Sequence, residues 1–125
     1  MRRVVITGMG IITALGCGVD INWKNLISDT IINSLKCGIL NAHPGQLPRY
    51  KGNSARNWAL INGETSFSQT IHFMDSELDA GSIIVQREFS ISDETTIEEM
   101  YDLTQKHTPK MFNAALQLIS KSGIN

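Results

Sequence analysis

The chain has 125 residues, 42% of them hydrophobic and 18% charged, with 11 Lys and Arg against 12 Asp and Glu for a formal net charge of -1. That length supplies one domain with a sizeable core and leaves no room for a second, and the balanced charge and apolar content exclude nucleic-acid binding through bulk charge and an extended disordered chain. Cys17 and Cys37 are too few for a disulfide scaffold and lack the paired spacing of a zinc site, so both are expected as free thiols in the reducing cytoplasm.

Arg2 and Arg3 before the apolar run from Val4 to Leu15, with Ala14-Leu15-Gly16-Cys17 as an imperfect cleavage box, have the outline of a signal peptide. Gly8 and Gly10 weaken any helix there, and the same letters make a better β-strand over Arg3 to Thr7 running into a glycine turn. Gly8, Gly10, Gly16 and Gly18 match neither GxGxxG nor GxxxxGK, so a phosphate loop is not read from them. Asp20 is placed to cap a helix carrying Ile21, Trp23, Leu26 and Ile27, which Ile31 to Leu35 extend or restart. Gly38-Ile39-Leu40 predicts another short buried strand.

Pro44 and Pro48 make Asn41 to Gly52 a structured loop. A helix is expected over Ser54 to Ile61, with Trp58 and Ile61 on one side and Asn62-Gly63 ending it. Thr70, His72 and Met74 alternate with Ile71 and Phe73 at the period of a strand, and Asp79-Ala80-Gly81 turns the chain into a second one over Ser82 to Gln86. Thr95 and Glu98 have the spacing of a capping box, and Ile97, Met100, Tyr101, Met111, Ala115 and Leu118 give a long amphipathic helix that Pro109 should kink or split, with Gly123 at its C-terminal end. The chain is therefore read as α/β, a small open mixed sheet with strands near Val4, Ile39, Ile71 and Ile84, flanked by helices near Lys24, Ala55 and Leu103. No stretch reaches the roughly 18 consecutive apolar residues of a membrane span.

Chemistry concentrates at the proline loop. Asn41 and His43 stand two residues apart at the end of a buried strand, the edge at which open α/β sheets bind ligands, and alternation puts both side chains on one face. An amide beside an imidazole that titrates near neutrality suits acyl transfer, because both can donate to a developing oxyanion. A carboxylate is wanted to hold the imidazole, and Asp75 and Asp79 are the candidates. The plainer readings are a turn-capping His43, a packed wall residue for His72, core or loop packing for Tyr50 and Trp58, a solvated basic face for Arg49, Lys51 and Arg56 in place of a phosphate site, and a surface His107.

Asn41-Ala42-His43-Pro44 with Leu47-Pro48, Tyr50 and Gly52 resembles the signature loop of the folate-dependent formyltransferases, and Thr70-x-His72 followed by Asp79-x-Gly81 resembles their second block. The spacing from His43 to His72 and Asp79, and the run Ile83 to Gln86 before Asp93-Glu94-Thr95, are similar too, over about residues 31 to 121. The resemblance implies transfer of a formyl group from 10-formyltetrahydrofolate to a small-molecule or carrier-bound amine. It implies that Asn41, His43 and Asp79 are catalytic, that Asp75, Leu78 and Gly81 bind the folate donor, and that no metal takes part, although His43, His72, Asp75 and Asp79 suit one by residue type. Two departures stand out: Ser68 replaces a frequent glycine, and Gly45 replaces the serine that many members carry after His-Pro.

Residues 1 to 28, from Arg2-Arg3-Val4-Val5-Ile6-Thr7-Gly8-Met9-Gly10 to Trp23, Lys24 and Leu26, resemble instead the opening of a β-ketoacyl-acyl-carrier-protein synthase, without that family's catalytic residues. The resulting expectation is a chimera, a synthase-like strand and helix over 1 to 30 joined to a formyltransferase-like catalytic half over 31 to 125. With one wall of the folate site missing, transfer is expected to be impaired at least about a thousandfold. The rival reading is a non-catalytic remnant that keeps the loop but holds no folate.

Overall fold

The computed structural model describes residues 5–7, 11–13, 16–18, 29–35 and 38–122, the first three segments as backbone alone. Its strands are β1 Val5–Thr7, β2 Ile11–Thr13, β3 Gly16–Gly18, β4 Ile39–His43, β5 Ser66–Phe73 and β6 Ile83–Ser90, and its helices are α1 Asp29–Ser34, α2 Ala55–Ile61 and α3 Ile97–Lys121. They form one sheet in the order β3-β2-β1-β4-β5-β6. Among the described residues only the β1–β4 pairing is parallel, with Val5 opposite Ile39 and Thr7 opposite Asn41, so the sheet is open and mixed, as expected, and its N-terminal strand joins beside Ile39 and Leu40.

The expected loop from Asn41 begins instead at Pro44. Asn41, Ala42 and His43 are an inner segment of β4, laddered to His72, Ile71 and Thr70 of β5, and the ladder stops where proline offers no N–H. β5 is buried along six of its eight residues, with Phe67, Ile71 and Phe73 turned to α3 and Ser68, Thr70 and His72 on the opposite face. Against the α3 face pack Leu40, Ile71, Met111, Phe112, Ala115 and Ile119, and beside them Ala59, Phe67, Phe89, Ile91 and Met100. Truncating a residue such as Ile71 or Met100 in these clusters costs about 2–5 kcal/mol.

Four local expectations need correction. The capping box is Thr96 with Glu99, because the Thr95 hydroxyl accepts the Ser92 N–H in the turn before the helix. α3 runs unbroken through Pro109, since Met100 and Thr104 before it and Met111, Phe112 and Ala115 after it bury against the same sheet and hold the two halves in line. α2 packs through Ala55 and Ala59, which leaves Trp58 53% and Ile61 69% exposed. His107 is half-buried, its ring 5.0 Å from that of Phe89 on β6. The helix expected near Lys24, Cys37 and the Gly123 cap lie outside the described residues.

A cavity of about 610 Å³ opens on the α3 face between Ala42, Pro44, Arg56 and the Thr104 to Leu116 stretch of the helix. At its wall Gln69 is 2% exposed and its Oε1 has no hydrogen-bond partner among the described residues. An orphaned buried acceptor costs about 1–3 kcal/mol. Gln69→Met, close in volume, is therefore expected to raise the melting temperature by about 3–5 °C; a fall on thermal denaturation contradicts this.

Candidate active site

β4 and β5 present Asn41, His43, Thr70 and His72 on the face away from α3. The loop after β5 brings Asp79 to the same place, with Asp79 itself at φ 51, a left-handed conformation that aspartate tolerates better than most residues. Its carboxylate, nearly buried, stands between two imidazoles: Oδ2 is 3.5 Å from His43 Nδ1, and Oδ1 is 3.7 Å from His72 Nε2. The Gly52 N–H donates to Oδ2 at 2.7 Å.

Two backbone carbonyls decide which ring nitrogens carry protons, because a carbonyl can only accept. His43 Nε2 lies 2.6 Å from the Tyr50 carbonyl oxygen and donates to it, and His72 Nδ1 donates to the Phe73 carbonyl at 2.8 Å. The remaining nitrogens, His43 Nδ1 and His72 Nε2, both face Asp79, and His72 Nε2 accepts from the Asn41 side-chain amide at 3.3 Å. Asn41, His43 and Asp79 are thus brought together, Asn41 by way of His72. A proton arriving at this cluster can be shared among two nitrogens and a carboxylate.

Burial pushes His72 below its ordinary value of 6.5, and His43 adds to this, against the Phe73 carbonyl and Asp79, which favour the charged ring. The unfolded chain binds a proton on His72 as pH falls through 6.5 while the folded chain does not until a lower pH, so stability is lost below 6.5 and the loss levels off below the folded value. The urea midpoint is expected to be lower at about pH 5.5 than at about pH 7.5, and His72→Gln to narrow the difference; an unchanged difference contradicts the assignment.

The other candidate residues lie around this cluster. Asp75 is exposed and binds its own turn through the Ser76 N–H and hydroxyl. Leu78 is 52% exposed beside Asp79. Gly81 is buried where a Cβ would stand 1.7 Å from the Phe73 carbonyl oxygen. Arg49 and Tyr50 both bond Glu64, and the Tyr50 hydroxyl, with Arg49, holds that carboxyl below the usual range. Arg56 is no solvated cation: it donates to Thr104 and lies over the Tyr101 ring, tying α2 to α3. Among the described residues no group of three or more His, Cys, Asp or Glu is placed to hold a metal ion, and no helix is long and apolar enough to cross a membrane.

The family model for formyl transferase matches residues 18–116. The chain belongs to the formyl transferase family. Among relatives of this formyl transferase family member, methionyl-tRNA formyltransferase of Fusobacterium nucleatum is 33% identical over 106 residues, covering 85% of this chain and 34% of the relative. The bifunctional polymyxin resistance protein ArnA of Wigglesworthia glossinidia brevipalpis is 34% identical over 103 residues, 82% of this chain and 16% of the relative. Phosphoribosylglycinamide formyltransferase from Bacillus halodurans shares the fold with TM-score 0.70 and 31% identity over 78% of this chain and 51% of that one. Glycinamide ribonucleotide transformylase 1 from Symbiobacterium toebii does so with TM-score 0.72 and 26% identity over 78% and 46%. The chain spans about a third or less of the curated relatives' length and about half of these solved ones. The family match begins at residue 18, twelve residues before the expected join at 30.

His72 is read from its own residue type as a packed wall residue, although Thr70-x-His72 belongs to the block that carries the resemblance. Its place opposite Asn41 in an antiparallel register is the available signal. The Tyr50 carbonyl and the Gly52 N–H give no signal, being backbone groups that any residue supplies.

Proposed function

We propose that this chain carries the transfer site of a formyltransferase that moves the formyl group of 10-formyltetrahydrofolate to the amine of a small-molecule or carrier-bound substrate, in the cytoplasm. The observation that supports it best is the single carboxylate of Asp79 facing the two ring nitrogens that carry no committed proton, His43 Nδ1 and His72 Nε2. The residues present suit the folate donor: Leu78 offers exposed apolar surface for a flat ring directly beside Asp79, and Asp75 and Gly81 bracket the same loop. The donor supplies an activated formyl carbonyl when bound. Asn41 contributes its amide N–H toward the carbonyl oxygen as negative charge grows there. Asp79 with His43 takes the proton that the attacking amine loses, held as a pair of imidazolium and carboxylate between Nδ1 and Oδ2. Holding this proton inside a nearly buried cluster keeps it from bulk water until a leaving nitrogen needs it.

The relatives act, by name, on methionyl-tRNA and on phosphoribosylglycinamide, and a primary amine is the class proposed here. The synthase-like origin of residues 1 to 28, joined to the rest near residue 30, belongs to this proposal too. A titration with 10-formyltetrahydrofolate followed by intrinsic Trp58 and Trp23 fluorescence tests the reading: saturation in the micromolar range, about -8 kcal/mol, is expected, and absence of binding at millimolar donor contradicts it.

A further inference from the structure

We propose that Gly45 is a positioning residue for His43: its missing side chain is the space in which the imidazole reaches the Tyr50 carbonyl. A Cβ at position 45 would stand 2.6 Å from His43 Nε2, 2.7 Å from the Tyr50 carbonyl oxygen and 2.9 Å from His43 Cδ2. Two of these atoms are the two ends of the 2.6 Å hydrogen bond that fixes the ring. Gly45 does not have a left-handed φ, so glycine is needed here for close approach and not for backbone conformation.

The glycine is also held in place. The Thr70 hydroxyl, fully buried, donates to the Gly45 carbonyl at 2.7 Å, and the Gln86 amide donates to Thr70 Oγ1 at 2.9 Å and to the Leu47 carbonyl at 3.0 Å. β5 and β6 thereby clamp the loop against the ring, and the loop cannot slide outward to admit a side chain without breaking this buried network. Any residue larger than glycine must push the ring off Tyr50 or push the Tyr50 carbonyl away. Either way Nε2 loses the acceptor that commits its proton, and Nδ1 is no longer the nitrogen held toward Asp79. The close seat of His43 on Tyr50 is thus a property of this chain's own loop, in which glycine follows His43-Pro44.

The inference rests on the reading of His43 as part of the transfer site, but its test reads the ring directly. In the natural chain with ¹⁵N-labelled histidine, long-range proton–nitrogen spectra are expected to show His43 as the Nε2–H form, with that proton protected from solvent exchange. Gly45→Ala is expected to speed its exchange about tenfold and to move the His43 ring signals, while those of His107 stay. Thr70→Val, which keeps the glycine but removes its anchor, is expected to speed exchange as well, and Thr70→Ser to restore protection. His43 protonated on Nδ1 in the natural chain, or His43 signals unchanged in a folded Gly45→Ala, overturns the proposal. If Gly45→Ala does not fold, the natural chain and the Thr70 pair decide it alone. A protected Nε2 proton in a chain that binds no folate donor supports the placement of His43 and contradicts the function proposed above.

Discussion

Gly81→Ala is expected to cost a large part of the chain's folding stability. The added Cβ would lie 1.7 Å from the Phe73 carbonyl oxygen and 2.6 Å from its carbonyl carbon, so backbone must move. Phe73 cannot yield cheaply: its N–H bonds the Ser82 carbonyl, its carbonyl accepts His72 Nδ1, and the next N–H, of Met74, bonds Ile39 across the sheet. A clash that breaks several of these bonds belongs with the largest single-residue effects, above about 4 kcal/mol, against a total stability of roughly 5–15 kcal/mol for a domain of this size. Gly63→Ala is the control. Gly63 has φ 63 with nothing within 4 Å of where a Cβ would stand, so only backbone strain of about 1–2 kcal/mol opposes the change. Urea denaturation is expected to show a cooperative transition shifted modestly for Gly63→Ala and moved to much lower urea for Gly81→Ala; a native-like midpoint for Gly81→Ala would mean that the loop after β5 is not packed as described.

Asp79→Asn is expected to leave the fold intact and lower formyl transfer by about a thousandfold, within the usual range for removing a group that moves a proton. The amide matches the carboxylate in shape: its oxygen, in the place of Oδ2, still accepts the Gly52 N–H and faces His43 Nδ1, and its nitrogen, in the place of Oδ1, faces His72 Nε2. The substitution therefore keeps the contacts and removes the charge. A neutral amide oxygen facing Nδ1 does not stabilise a proton arriving there as the carboxylate does. Transfer retained within about threefold, with far-UV circular dichroism unchanged, would remove the carboxylate from the mechanism.

Much of this arrangement is legible in the letters because it is local. Pro44 marks where β4 must end, and the alternation around Ile71 places His72 on the same side as Asn41 once the antiparallel register is known. The strand expected at Ile39 ends three residues too early, since proline ends pairing at its own position and leaves Asn41, Ala42 and His43 free to ladder. Pro109 does not break its helix because burial on both sides of it outweighs one missing hydrogen bond. The exposure of Trp58 is hidden because a seven-residue helix that packs through two alanines needs no large apolar face. The tautomers of His43 and His72 are not readable at all: they are set by the Tyr50 and Phe73 carbonyls, whose positions depend on the fold and not on residue type.

Formyl transfer by the cluster of Asn41, His43 and Asp79 is tested most directly by a mass-spectrometric count of formyl groups passed from isotopically labelled 10-formyltetrahydrofolate to a primary amine, for the natural chain and for His43→Ala side by side. Labelled formamide product is expected from the natural chain, and its loss in His43→Ala; equal product from the two proteins, or none from either, contradicts a transfer role for this cluster.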